Sequence, residues 1–223
     1  MRTLIFGASG GIGAALMQAA MDAGTAPDQI IGLSRRDDGL DVTDEASIER
    51  ALAKLSGPFE RIICATGALE IAGRGPEKSL RAVTPHALAD QFAVNATGPI
   101  LVLKHALRLM PRDRPARFAA LSARVGSIGD NRLGGWYSYR AAKAALNQLL
   151  RSASVEIART HPHAVIAALH PLTVATPFTA AFQATHPTVT PAHAAAGLIR
   201  VLDALSPAQT GGFFDANGKE IIW

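Results

Sequence analysis

Cysteine is almost missing from this chain of 223 residues, which holds one, Cys64. A single thiol excludes an internal disulfide framework. It lies in an apolar run, Arg61–Ala65, so buried packing is its expected role. No apolar stretch of about 20 residues occurs, so no membrane partner is expected. The chain passes from Met1-Arg2-Thr3 straight into a short apolar run. That is not the pattern of a signal peptide, and a cytoplasmic location is expected. A charge excess is missing too: 22 basic against 18 acidic residues leave a net +4. The basic residues crowd at Arg108, Arg112, Arg114 and Arg117 without interleaved aromatics. They read as a solvated turn near a helix end, and no nucleic-acid partner is expected. The seven histidines form no metal constellation. His161 and His163 are the closest pair, and they fall between a helix and a strand without further ligands. Repeats, linkers and low-complexity segments are absent.

What remains is an ordinary globular composition, 48% hydrophobic. The length suits one domain, residues 1–223, with a substantial core. Short apolar runs alternate with amphipathic segments. Strands are expected at Arg2–Phe6, Ile30–Ser34, Arg61–Ala65, Ala116–Ser122, Ala164–His170 and from Gly212 to Phe214. Helices are expected at Gly11–Ala23, Asp44–Leu55 with Asp44 as cap, about Pro85–Met110, Tyr139 to about Thr160, and Ala192–Leu205. Wholly apolar strands fit a sheet covered on both faces. Right-handed crossovers then give a single-domain α/β fold. It is a Rossmann-type, doubly wound parallel sheet of about seven strands with helices on both faces.

Two constellations carry chemistry. The first is Gly7-Ala8-Ser9-Gly10-Gly11-Ile12-Gly13, between a strand and a helix. That context suits a dinucleotide site. Glycine lets the backbone approach a pyrophosphate, and the helix start presents N–H donors. The second is Tyr139 and Lys143, four residues apart and so on one helical face. A phenol with a pKa of about 10 is a poor acid or base near neutrality. A neighbouring ammonium lowers it toward working pH. Tyr137 has Ala141 at the same spacing and lacks that help.

With these motifs the chain resembles the short-chain dehydrogenase/reductase family over nearly its whole length. It looks most like the carbonyl-reductase branch that includes C-factor and sniffer-type proteins. Leu121–Ile128, Gly134–Arg140 and the ending Gly211–Asp215 with Gly218, Lys219 and Trp223 carry that likeness. The resemblance implies hydride transfer between a nicotinamide and an alcohol or carbonyl carbon. It makes Tyr139 the general acid and base. Lys143 becomes the residue that lowers the tyrosine's pKa and bonds the nicotinamide ribose. Asn95 becomes the residue that holds a proton-relay water. The family usually has two serines after the strand at Ala116–Ser122, and the second polarises the substrate carbonyl. Here the pair reads Ser122-Ala123. Ser122 is the expected catalytic serine, with Ser127 the other candidate.

The implied cofactor residues are Gly7, Ser9, Gly11, Ile12, Gly13, Ser34, Arg35, Arg36, Asp41, Val42, Ala65, Thr66, Gly67, Asn95, Tyr139, Lys143, Pro171, Val174 and Thr176. Leu172 stands where the family has glycine. NAD-specific sites place an acid about 20 residues beyond the glycine turn. Leu33-Ser34-Arg35-Arg36 has none at the strand end, and arginine pairs with a 2′-phosphate. NADP is therefore expected over NAD. A small-molecule carbonyl or alcohol is the expected partner. Its site would be shaped by Gly67–Thr84, Gly126–Gly135 and Phe178–Pro191, the last with Phe178, Phe182 and His186. A small or medium apolar carbonyl is expected. The helix after Tyr139 is apolar over more than one stripe, which fits a homodimer or homotetramer. The competing reading is an NADP(H)-binding regulatory or signalling protein with little turnover.

Overall fold

The computed structural model describes all residues except 183–186, with the side chains of Ala181 and Phe182 also left aside. His186 and the Phe182 side chain, expected on the substrate loop, therefore lie outside the described residues. The chain folds as one parallel sheet in the order β2-β1-β3-β4-β5-β6. The strands are β1 Thr3–Phe6, β2 Ile30–Leu33, β3 Arg61–Cys64, β4 Ala116–Leu121, β5 Ala164–His170 and β6 Phe213–Asp215. The order reverses between β1 and β3. In such sheets the crevice outside the carboxyl ends at that point is where ligands bind.

Side-chain alternation divides the core between the two faces. Ile5, Ile63, Ala119, Val165 and Leu169 pack against α1 (Gly11–Asp22) and α7 (Pro191–Ala204). Leu4, Phe6, Ile62, Phe118 and Ile166 pack on the other face. That face is covered by α3 (Glu45–Ala53), α5 (Gly98–Ala106) and α6 (Tyr137–Ile157). Cys64 sits in this second cluster, fully buried, as expected. Asp44 caps α3 by accepting the Ala46 N–H at 3.0 Å.

The sheet has six strands among the described residues, not about seven. After β2 the chain enters the short helix α2 (Arg35–Asp38). The Ser34 carbonyl then accepts from both Asp38 N, at 3.0 Å, and Leu40 N, at 3.2 Å. That turns Leu40 and Val42 into the core instead of along the free edge of β2.

The expected long helix from Pro85 is three pieces. α4 (Pro85–Phe92) runs into a π turn, Ala93–Thr97, and then α5. Pro99 has no N–H, so the Asn95 carbonyl four residues back has no α-helical donor. Wider turns of this kind often sit at functional sites.

Candidate active site

A cavity of about 910 Å³ opens over the carboxyl ends of the strands. Its floor is the glycine turn. Gly7 has a left-handed φ of +81°, and a Cβ there would press on the Ala65 backbone at 3.0 Å. A Cβ on Gly13 would overlap the Gly7 carbonyl. The turn is thus packed against the end of β3 and admits no side chain at Gly7 or Gly13. α1 begins with Gly10 as its cap and has no side-chain cap bond and no acid in its first turn. Its first N–H donors suit an anion.

From the other side the segment after β5 closes over the turn. A Cβ on Gly11 would meet Thr176 Cγ2 at 2.7 Å. Leu172 holds a left-handed φ of +68° where the family has glycine. Its side chain packs against the α1–α7 core.

Of the residues expected to hold a cofactor, Ser9, Gly11, Ile12, Gly13, Ala65, Thr66, Gly67, Pro171, Val174 and Thr176 line this cavity, together with Tyr139 and Lys143. Gly7 lies beneath it as the hinge of the turn. Ser34, Arg35, Arg36, Asp41, Val42 and Asn95 are not on its lining. The stretch after β2 is more balanced in charge than its first residues suggest. Ser34 donates its Oγ–H to Asp37 and its N–H to Asp38, at 2.8 and 2.7 Å. Arg36 pairs with Asp37 at 2.9 Å. The Arg35 side chain is exposed and makes no hydrogen bond or ion pair among the described residues, though its charge joins the bonds from Thr43 in holding the Asp41 carboxyl below its usual range. Asp41 accepts from Thr43 N and Oγ1, and Val42 packs where a Cβ on Gly98 would sit.

α6 presents Tyr139, Lys143 and Asn147 on one face, all buried. Lys143 Nζ donates to the Leu121 carbonyl at 2.8 Å and lies 5.8 Å from the Tyr139 ring centre. Burial lowers the Lys143 ammonium to about 8. Burial also pushes the Tyr139 phenol above its ordinary range. Among the described residues the phenol has no hydrogen-bond partner within the protein, and it borders the cavity. Trp136 and Phe178 flank its ring at 6.2 and 6.4 Å between centres.

The two serine candidates are both engaged. Ser122 lines the cavity but donates to Asn147 Oδ1 at 2.6 Å. Ser127 donates to the Ile222 carbonyl at 2.5 Å and accepts the Asp130 N–H, and it is not on the lining. Asn95, fully buried, donates to Gln91 Oε1 at 2.7 Å and Ala68 O at 2.8 Å, and accepts Ala68 N at 3.1 Å. It clamps the loop after β3.

Three further residues belong to the site. Asn147 continues the Tyr139-Lys143 spacing by four and was findable from it. His170, at the end of β5, lines the cavity. Its Nδ1 is buried with no partner among the described residues, and burial drops the ring to about 4, so it is neutral. Glu77 accepts the Ser138 Oγ–H at 2.5 Å and the Ser138 N–H at 3.1 Å. Its own carbonyl takes the Trp136 N–H at 2.6 Å. No local pattern signals Glu77, which is 61 residues from its partner.

Residues 35–213 match a family model described as enoyl-(acyl carrier protein) reductase. A Rhodococcus sp. (strain AD45) protein named 1-hydroxy-2-glutathionyl-2-methyl-3-butene dehydrogenase is 32% identical over 83% of this chain and 79% of its own length. The chain belongs to the short-chain dehydrogenase/reductase family. Its members' chemistry makes it an oxidoreductase. Solved structures agree on the fold of the family. The carbonyl reductase Sniffer of D. melanogaster superposes with a TM-score of 0.84 at 21% identity, covering 100% of this chain and 99% of that one. An NADPH-bound carbonyl reductase from chicken fatty liver gives 0.82 at 25% identity, covering 100% and 98%. No helix among the described residues is long and apolar enough to cross a membrane.

Proposed function

We propose that this short-chain dehydrogenase/reductase reduces a carbonyl to an alcohol with NADPH, and that Tyr139 delivers the proton. One observation carries the reading. A buried phenol, without a hydrogen-bond partner in the protein among the described residues, stands at a cavity whose other end is a helix-capping glycine turn. The turn and the first N–H groups of α1 would hold a diphosphate, and Lys143 a ribose hydroxyl. The NADPH-bound relative supports the choice of cofactor. So does Arg35, which, unlike Arg36, makes no ion pair among the described residues. When bound, NADPH supplies the hydride.

Tyr139 then gives its O–H proton to the carbonyl oxygen as negative charge grows there. Burial keeps this phenol protonated near neutrality, which suits a proton donor. Lys143, fixed on the Leu121 carbonyl, favours the phenolate left behind. Asn95 acts as a positioning residue. Its side chain holds the loop at Ala68. Ser122 cannot give its proton to a substrate while it donates to Asn147. Tyr139 and Lys143 therefore carry the proton chemistry.

Tyr139→Phe removes only the transferable proton. The expected loss in kcat is about 100-fold or more, with NADPH affinity kept. Tyr137→Phe, at a half-exposed ring (37% exposed), is expected to stay near wild type. Steady-state rates on an aldehyde and ketone panel check both, and the reverse pattern would reject the assignment.

A further inference from the structure

Three arginines after β4, the last of them in the first turn of α6, border the cavity: Arg124, Arg132 and Arg140. They are not equivalent. Arg124 donates to Asp130 and to Asp215, each at 3.2 Å, so its charge is matched inside the protein. Arg140 follows Tyr139 on α6 and is half-buried. Its Nε donates to the Gly135 carbonyl at 3.0 Å and its Nη1 to the Val125 carbonyl at 3.2 Å. Those contacts fix the guanidinium without neutralising it. No carboxylate pairs with it among the described residues, and burial lowers its pKa. Arg132 is exposed at the rim and makes no hydrogen bond or ion pair among the described residues. The one carboxylate on the lining, Asp130, is already held by Arg124.

A half-buried, immobilised cation without a counter-charge has lost hydration that an anion would replace. A guanidinium fork matches a carboxylate with two parallel bonds. The cofactor's diphosphate is not that anion. The glycine turn follows β1, whereas these arginines follow β4, two strands away, or about 10 Å. The rest of this end is apolar, with Leu69, Leu133, Trp136 and Phe178 on the wall. We propose that the substrate is an oxo acid, with an apolar body whose carboxylate is bound by Arg140 and Arg132 while its carbonyl carbon lies at Tyr139. This goes past the expectation of an apolar carbonyl, and it rests on the oxidoreductase reading above.

The test compares oxo acids with their own methyl esters. Levulinate and para-formylbenzoate, each against its ester, are reduced with NADPH at neutral pH and low salt. The acid is expected to exceed the ester in kcat/KM by about tenfold or more in at least one pair. Added salt should shrink the ratio. Arg132→Glu and Arg140→Gln should bring the ratio toward one or below. A merely disturbed loop would slow acid and ester alike and leave the ratio in place. A wild type that treats every pair equally, or prefers the esters, overturns the proposal while leaving carbonyl reduction intact. If no member of any pair is turned over, para-(hydroxymethyl)benzoate and its methyl ester are titrated calorimetrically into the protein with NADP. Carboxylate-dependent binding that Arg132→Glu removes would support the anion site and count against the oxidoreductase reading. Equal binding of acid and ester, or binding of neither, overturns the site.

Discussion

Lys143 is held where its charge is costly, and that conflict is readable in stability. Burial lowers its folded pKa to about 8, below the value of about 10.5 in an unfolded chain. Between those two values the unfolded chain binds more protons, so this group's contribution to stability improves as pH rises through the window and is poorest below it. Tyr139 and Cys64 are shifted upward by burial, so they act in the opposite sense at alkaline pH. Comparison with Lys143→Met isolates the lysine. The variant should lose turnover yet be at least as stable as wild type at pH 7, and its relative advantage should fade by about pH 10. Urea unfolding at the two pH values checks this. A variant weaker at pH 7 and relatively stronger at pH 10 would reverse the sign and sink the argument. Arg35 gives a second residue-level expectation. A charged hydrogen bond to a 2′-phosphate contributes roughly 1.5–3 kcal/mol, and solvent holds it toward the lower end. Arg35→Ala should weaken NADPH binding about tenfold and leave NADH nearly unchanged in a fluorescence titration. Equal wild-type affinities for the two cofactors would remove Arg35 from the site. The contrast with Arg36 was not legible from the dipeptide. It arises because Asp37 and Asp38 fold back onto Ser34 and take the second arginine with them.

α6 carries the proposed proton donor, yet its start is not set by its own sequence. Trp136 precedes it with a left-handed φ of +54°, an unfavourable backbone for a bulky residue. Glu77, on the loop after β3, takes the N–H of Trp136 and both the N–H and the Oγ–H of Ser138. A carboxylate at a helix start also meets the positive end of the dipole. Glu77→Ala removes a buried, charged cap and should cost about 1–3 kcal/mol in urea unfolding. It should lower kcat more than it raises KM, because Tyr139 lies one residue beyond Ser138. Glu77→Gln keeps one acceptor and should recover part of both losses. A neutral Glu77→Ala would show that Trp136 and Tyr139 are set by the helix alone. Strands and most helices were legible because apolar runs and caps are local signals, as at Asp44. The π turn was half-legible, since Pro99 marks the lost donor but not how the helix absorbs it. Glu77 and the Ser122–Asn147 bond were not, because each joins segments brought together only by the sheet.

At the scale of the molecule, the sheet buries one stripe of α6 and leaves another. Tyr139, Ala142, Lys143, Leu146, Leu150 and Ile157 face inward. Ala141 and Ala145 are half-buried, while Leu149 is 36% exposed and Val155 54%. Phe92, at the end of α4, is also exposed. A helix apolar on more than its core-facing stripe fits a partner on the second one. We therefore expect a homodimer or homotetramer with α6 against its symmetry mate. An isologous contact presents each substituted side chain twice across the same interface. A single charge on the outer stripe should thus act with double weight. Leu149→Arg should shift the assembly toward monomer in sedimentation velocity at micromolar concentration. Circular dichroism should stay close to wild type, because Leu149 is not part of the core clusters. Gln148→Arg, one residue along and already polar, is the matched control for added charge. A wild type that sediments as a monomer at this concentration would reject the interface outright. A Leu149→Arg protein that keeps the wild-type assembly would move the interface off α6.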